Sequence, residues 1–308
     1  MALTSISVMG AGNVGGACAA AIAARRLGSV RLYDIVEDLA IGKAMDINHA
    51  SPFFGSDSRV RGCNRTEELA GSDIVIVTAG APRRQGMARR DLLVENLGVL
   101  ASLVADVAEH SPASRVLIVT NPVEALTWYV RKHWPELNIF GLGCSLDTLR
   151  FRFFLAEEAR VSVDCVSAMV IGTHDDCMIP MVNHATIGGV DLRHLLTPGQ
   201  IDTVVGRTRD AGTSIVRRLK ARGSFYAASY TVAGIVEAMV QHTHGIFPVS
   251  VAPSAHYGGD GLVLNLPSIV GAEGVERIVD IDMDQDERDA LDRCRESAGK
   301  AIASIQDY

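Results

Sequence analysis

Ile6-Ser7-Val8-Met9-Gly10-Ala11-Gly12-Asn13-Val14-Gly15-Gly16 is the stretch whose reading decides the fold. A short run of strand character enters a glycine-rich turn, and the alanine-rich segment that follows to Arg26 has the composition of a helix. Gly10 permits the tight turn, Gly12 lets a pyrophosphate approach the backbone, and Gly15 lets helix and strand pack closely. Helix-start N–H groups from Asn13 onward would then face the phosphates. A glycine triplet alone is often only a turn. Here Val30-Arg31-Leu32-Tyr33-Asp34 reads as the next strand and ends on a carboxylate. An acid about twenty residues past the third glycine accepts both ribose hydroxyls and repels a 2′-phosphate, so NAD is expected rather than NADP.

Outward from that turn the pattern repeats. Asp38 to Asn48 reads as a helix, Ile74-Val75-Ile76-Val77 and Val116-Leu117-Ile118-Val119 as buried strands, and Leu92 to Glu109 as the helix between them. This alternation predicts an α/β chain with a doubly wound parallel sheet of Rossmann type and right-handed crossovers. Past residue 145 the rhythm changes: helix-length segments lie near 146–160, 198–220 and 226–243, and strand-like pieces near 165–171, 246–251 and 262–270. The last stretch, Asp284 to Ile305, carries Ala290, Leu291, Cys294, Ala298, Ala301 and Ile302 on one helical face. We therefore expect an N-terminal dinucleotide-binding domain over 1–145 and a C-terminal α+β substrate domain over 146–308, sharing a tight interface.

At 308 residues the chain has the length of two domains, and 48% hydrophobic with 21% charged residues is globular composition. A net charge of −7 argues against nucleic acid as a partner, though not against a small anion. The positive charge is nearly all guanidinium, since only Lys43, Lys132, Lys220 and Lys300 are lysine among 29 basic residues. The six cysteines are scattered without a C-x-x-C pair, no clustered metal-ligand set is present, and no apolar run reaches membrane-spanning length. A cytoplasmic location without metal or membrane partner is the expectation.

Three features suggest chemistry. Arg83, Arg84, Arg89 and Arg90 crowd the segment after the strand ending at Thr78, at the carboxyl edge where open α/β sheets bind ligands. Arginine rather than lysine favours two-pronged recognition of carboxylates, although a solvated basic turn has the same composition. Asp147 and Arg150 are spaced to share a helix face, which alone suggests only an ion pair. His174 follows the strand Val166 to Ile171, where a lone histidine is more often structural.

Taken together and in order, the chain resembles the lactate/malate dehydrogenase family over nearly its whole length. The segments that carry the resemblance are Gly10 to Gly15 with Asp34, Ala81-Pro82-Arg83 through Arg89, Thr120-Asn121-Pro122-Val123, Leu146-Asp147-Thr148-Leu149-Arg150-Phe151-Arg152 and Gly172-Thr173-His174. Asp34-Ile35-Val36-Glu37, Gly42-Lys43-Ala44-Met45-Asp46 and Ala50-Ser51-Pro52 look like the malate branch that is lactate-dehydrogenase-like. The resemblance implies His174 as acid/base, Asp147 as the carboxylate that orients it, and Arg150 as the clamp on the C1 carboxylate. It implies Arg89 as the group that polarises the carbonyl, Asn121 as a hydrogen-bond donor to the reacting oxygen, and Thr78, Gly80, Asn96 and Asn121 along the cofactor cleft. Arg83 matches a position that carries arginine in malate enzymes and glutamine in lactate enzymes, so oxaloacetate is expected over pyruvate. Relatives bury surfaces like the 38–48 helix and the segments beyond 198 between subunits, which implies a homodimer or homotetramer.

The chain departs from the family at three places. Where His-Gly-Asp is usual, His174 is followed by Asp175. An inward Asp175 would favour the imidazolium and repel an anionic substrate; an anion pocket disfavours an unpaired acid, so the side chain is expected to point outward. Phe225 falls where a small residue is matched, and Arg84, Gln85 and Arg90 would suit a more strongly anionic 2-oxo acid, with sulfonate or phosphonate in place of the second carboxylate. NAD-dependent glycoside hydrolysis and a cofactor-sensing module without chemistry are the more distant readings.

Overall fold

β1 (Ser5–Met9) and α1 (Asn13–Ala24) meet at a turn that only glycine fits. Gly10 has φ +106°, a Cβ there would lie 2.6 Å from the Ala79 nitrogen, and a Cβ on Gly15 would lie 1.8 Å from the Gly10 carbonyl. In the computed structural model, residues 3–81, 89–220, 223–306 and 308 are described, with 89 and 90 described by backbone alone. The chain continues through β2 (Ser29–Tyr33), α2 (Leu39–Phe54), β3 (Val60–Cys63), β4 (Ile74–Val77), α3 (Arg89–His110), β5 (Arg115–Ile118), α4 (Val123–His133), β6 (Asn138–Gly141) and α5 (Ser145–Ala159). The second half comprises β7 (Val166–Ser167), β8 (Val170–Ile171), β9 (Ile179–Pro180), β10 (Thr186–Ile187), β11 (Val190–Asp191), α6 (Pro198–Leu219), α7 (Tyr226–Gln241), β12 (Gly245–Val251), β13 (Leu264–Gly271), β14 (Gly274–Ile278) and α8 (Gln285–Ala303).

The first six strands pair in parallel in the order β3-β2-β1-β4-β5-β6, the doubly wound arrangement of a Rossmann-type domain. Successive side chains leave a strand on opposite faces, and here both faces are buried. Ile74, Ile76 and Leu117 join α1 in one apolar cluster, while Val75, Val77, Val116 and Ile118 join α3 and α4 in another. The sheet does not stop at β6. β12 pairs antiparallel with it at Ser250 and Gly141, and β13 and β14 follow, which makes nine strands among the described residues. The cluster containing α1 also holds Val232 and Val236 of α7 and Leu264 and Leu266 of β13, so one core runs through both halves. Phe151 and Leu155 of α5 pack with Ile201 and Val204 of α6 in a third cluster.

Several elements differ from the sequence reading. α2 runs to Phe54 rather than Asn48 and tolerates Pro52 in its last turn before Gly55 ends it in the left-handed conformation. β3, α4, β6 and β14 carry weak signals. α4 buries Glu124 and Thr127 along with Ala125, Leu126 and Val130, so polar residues interrupt its apolar face. The piece near 165–171 divides into two short strands in different sheets.

Candidate active site

The glycine turn presents α1 with no side chain capping its N-terminus. A Cβ on Gly12 would meet no atom within 4 Å, which leaves open backbone of the kind a pyrophosphate approaches. Asp34, just past β2, accepts the Ala11 N–H at 2.6 Å through one oxygen and the Val36 N–H at 2.9 Å through the other. Each carboxylate oxygen keeps a lone pair for a ribose hydroxyl. The residues present therefore fit a dinucleotide. Thr78 props this turn, with Oγ1 donating to the Gly10 carbonyl at 3.0 Å, and Lys43 of α2 donates from Nζ to the Gly12 carbonyl at 2.9 Å. Burial pulls the Lys43 ammonium below its ordinary pKa, against the pull of Asp34.

The ends of β4 and β5 are tied by Asn96, which is buried on α3. Its Oδ1 accepts from the Ala81 nitrogen at 2.6 Å and its Nδ2 donates to the Asn121 carbonyl at 2.7 Å. Gly80 packs beneath it, since a Cβ there would lie 2.6 Å from Thr120 Cγ2. Asn121 itself is exposed. Arg83 lies outside the described residues with Arg84, Gln85 and Gly86; Arg89 opens α3, and its side chain and that of Arg90 lie outside them too.

Three of the expected residues meet. His174 Nδ1 donates to Asp147 Oδ2 at 2.5 Å, and Arg150 Nη1 donates to Asp147 Oδ1 at 2.9 Å. Because an ionised carboxylate only accepts, the Nδ1 proton is fixed and Nε2 is the nitrogen left for chemistry. Asp147 is fully buried, whereas 21% of the His174 side chain reaches solvent. Burial works to raise the Asp147 carboxyl, but His174 and Arg150 outweigh it and hold the group below its ordinary range. Asp147 in turn raises the His174 imidazole against the opposing effect of burial, with Glu124 adding to the rise and Arg150 reducing it. The Arg150 side chain is 10% exposed, and its Nε is buried with no partner among the described residues. A buried guanidinium with an unused donor suits an incoming carboxylate.

Asp175 points away from the ring. Its Oδ1 accepts from Thr173 Oγ1 at 2.7 Å and Cys177 N at 2.8 Å, and its Oδ2 from Ser297 Oγ of α8 at 2.8 Å. Phe225 forms the N-cap of α7 with its ring centroid 4.1 Å from that of Tyr226. His242 and His244 both take left-handed backbone, and His244 pairs with Glu276 at 2.9 Å. Among the described residues no metal-binding cluster is found, and no helix is long and apolar enough to cross a membrane. Glu124, Asn265 and Lys43 were not singled out as site residues. For Glu124 a signal existed: an acid inside Val123-Glu124-Ala125-Leu126, directly after Asn121-Pro122, is costly to bury without a task.

A glycine-turned parallel sheet joined to a histidine on a buried carboxylate is the equipment of a dinucleotide-dependent oxidoreductase. The sequence model of the lactate/malate dehydrogenase NAD-binding domain matches residues 4–141, and that of the family's α/β C-terminal domain matches 144–307. The chain belongs to the lactate/malate dehydrogenase family, and its cofactor is NAD. Solved relatives include the malate dehydrogenase from Picrophilus torridus in its apo form, 37% identical with TM-score 0.96, covering 100% of this chain and 98% of that one. The malate dehydrogenase from Cryptosporidium parvum is 31% identical, TM-score 0.95, with 100% of both chains covered. The lactate dehydrogenase from Cryptosporidium parvum, complexed with lactic acid and nicotinamide adenine dinucleotide, is 32% identical, TM-score 0.96, covering 100% of this chain and 99% of that one.

Proposed function

We propose that the chain is an NAD-dependent malate dehydrogenase interconverting (S)-malate and oxaloacetate. The observation that carries the chemistry is the trio of Asp147, His174 and Arg150 around one buried carboxylate, with its unused guanidinium donor. Arg150 receives the C1 carboxylate and aligns the C2 carbonyl. His174, held as imidazolium by Asp147, gives its Nε2 proton to the carbonyl oxygen during reduction and takes it back during oxidation. NAD, when bound, accepts or supplies the hydride at C2. Arg89 and Asn121 support the charge that develops on the oxygen. Gly10, Gly12, Asn13, Gly15, Asp34, Thr78, Gly80, Asn96 and Asn121 form the cofactor cleft. The cofactor domain spans residues 1–145 and the substrate domain 146–308.

The preference for malate rests on Arg83. Its guanidinium would pair with the distal carboxylate of oxaloacetate, whereas pyruvate would leave it desolvated and unpaired, at a cost of several kcal/mol. Steady-state reduction of oxaloacetate, pyruvate, sulfopyruvate and phosphonopyruvate with NADH tests this. Oxaloacetate should lead, and R83Q should cut its kcat/KM by about 100-fold or more while pyruvate gains. Oxaloacetate turnover no better than pyruvate would sink the assignment. Leadership by the sulfonate or phosphonate acid would favour the second reading, which the additional Arg84 and Arg90 support. The protein works in the cytoplasm as a homodimer or homotetramer.

A further inference from the structure

Glu124 lies in the first turn of α4, where the helix N-terminus favours a negative side chain. Its Oε1 accepts the backbone N–H of His174 at 2.6 Å and Nδ2 of Asn265 at 2.6 Å. Asn265 is fully buried on β13 and bonds Gly172 in both directions, at 2.9 and 2.7 Å, while its Oδ1 accepts the Ser250 hydroxyl at 2.7 Å. The segment carrying His174 is therefore fixed from β13 and from α4 at one shared carboxylate oxygen. α4 starts immediately after Asn121 and Pro122, so the same carboxylate couples the acid/base histidine to the proposed oxygen-binding asparagine. We infer that Glu124 is a second carboxylate of the acid/base site, a positioning residue that holds His174 through its main chain and charges it from behind. The inference rests on the proposed role of His174.

The balance of charge supports it. Among the described residues, Asp147 and Arg150 face the ring from α5, Glu124 from α4, and Asp175 and Asp176 lie in its own segment, with Asp175 turned to Ser297. The Cys144 thiol behind the segment is kept neutral by burial, and β13 offers only the neutral Asn265. In its ionised form Glu124 joins Asp147 to match the charges of protonated His174 and Arg150. Burial raises the Glu124 carboxyl above its ordinary range, and His174 with the two donors reduces that rise without cancelling it. Removal of the Glu124 charge leaves the trio with net positive charge, so His174 should lose its proton more readily.

The experiment is the pH profile of NADH-dependent reduction of the preferred substrate for wild type, E124Q, E124D and H174N, with NADH affinity read separately by fluorescence. Reduction needs the imidazolium, so activity falls as pH rises through the His174 pKa. E124Q keeps shape and an acceptor oxygen but not the charge. Its fall-off should move to lower pH by about one pH unit, with NADH affinity unchanged. E124D keeps the charge but is one methylene short of its two donors. Its fall-off should stay in place while plateau kcat drops by about tenfold or more. An E124Q profile that superimposes on wild type overturns the charge assignment, and an undiminished E124D plateau overturns the positioning one. Turnover retained in H174N would instead remove the His174 reading and the inference with it.

Discussion

His174 has a pKa raised chiefly by Asp147, and both rate and stability should report it. H174N should lower turnover by about 10²- to 10⁴-fold while NADH still binds. An imidazole whose folded pKa is raised contributes stability that is fully present below its unfolded pKa of about 6.5 and is lost as pH rises through the folded value. Thermal melts from acid to alkaline pH should show that decline in wild type and not in H174N; parallel curves would contradict it. The trio was legible through the family resemblance, because the spacing of Asp147 and Arg150 on one helix face by itself suggests only an ion pair and a lone histidine after a strand is more often structural. Glu124 could not be assigned its partner in that way. Its contact with His174 spans 50 positions of sequence and goes to a backbone atom, which leaves no trace in residue type.

At the scale of elements, the catalytic segment between β8 and β9 leans on α8. Ser297 donates to Asp175, the Cys294 thiol lies 2.9 Å from the Cys177 carbonyl, and a Cβ on Gly172 would lie 2.5 Å from Cys294 Sγ. Asp175, a charged residue where the family has glycine, thus serves as an anchor between this segment and the closing helix. S297A removes one donor to a carboxylate and should cost about 1–2 kcal/mol, read as a lower melting temperature with NADH affinity unchanged. An unaltered melt would show that the anchor bears no load. The closing helix itself was evident from its apolar face, and the structure adds a capping box of Asp284 and Glu287 at its start. The parallel strands were evident as short β-branched runs buried on both faces. β3, with Arg61 and Gly62 at the sheet edge, and the two-residue strands β9 to β11 were not, because pairing rather than composition defines them, and the single strand expected near 165–171 is two, β7 and β8.

Over the whole molecule the net charge is −7, so attraction of a small dianion by Arg150 and by the proposed contacts Arg83 and Arg89 has to be local. Apolar side chains also stand in solvent on α2 and just before it: Phe53 is 90% exposed, Ile35 85% and Met45 55%. Large apolar residues grouped on one surface mark an interaction site, and the proposed homo-oligomer would cover them. Sedimentation equilibrium at micromolar protein should give a mass of two or four chains. F53E should shift that mass toward one chain, and a wild-type protein already of single-chain mass would refute the assembly.

The junction of β12 with β6 has a mechanical meaning. Main-chain bonds between Gly141 and Ser250, the Ser145 hydroxyl on the Pro248 carbonyl at 3.2 Å, and a shared apolar core weld the cofactor half to the substrate half. Prying them apart like the jaws of a clamp would break buried hydrogen bonds and expose core together. Under the proposed function, Asp34 at one strand end and His174 beyond the weld would meet cofactor and acid from the two sides of that junction, a ruler rather than a hinge.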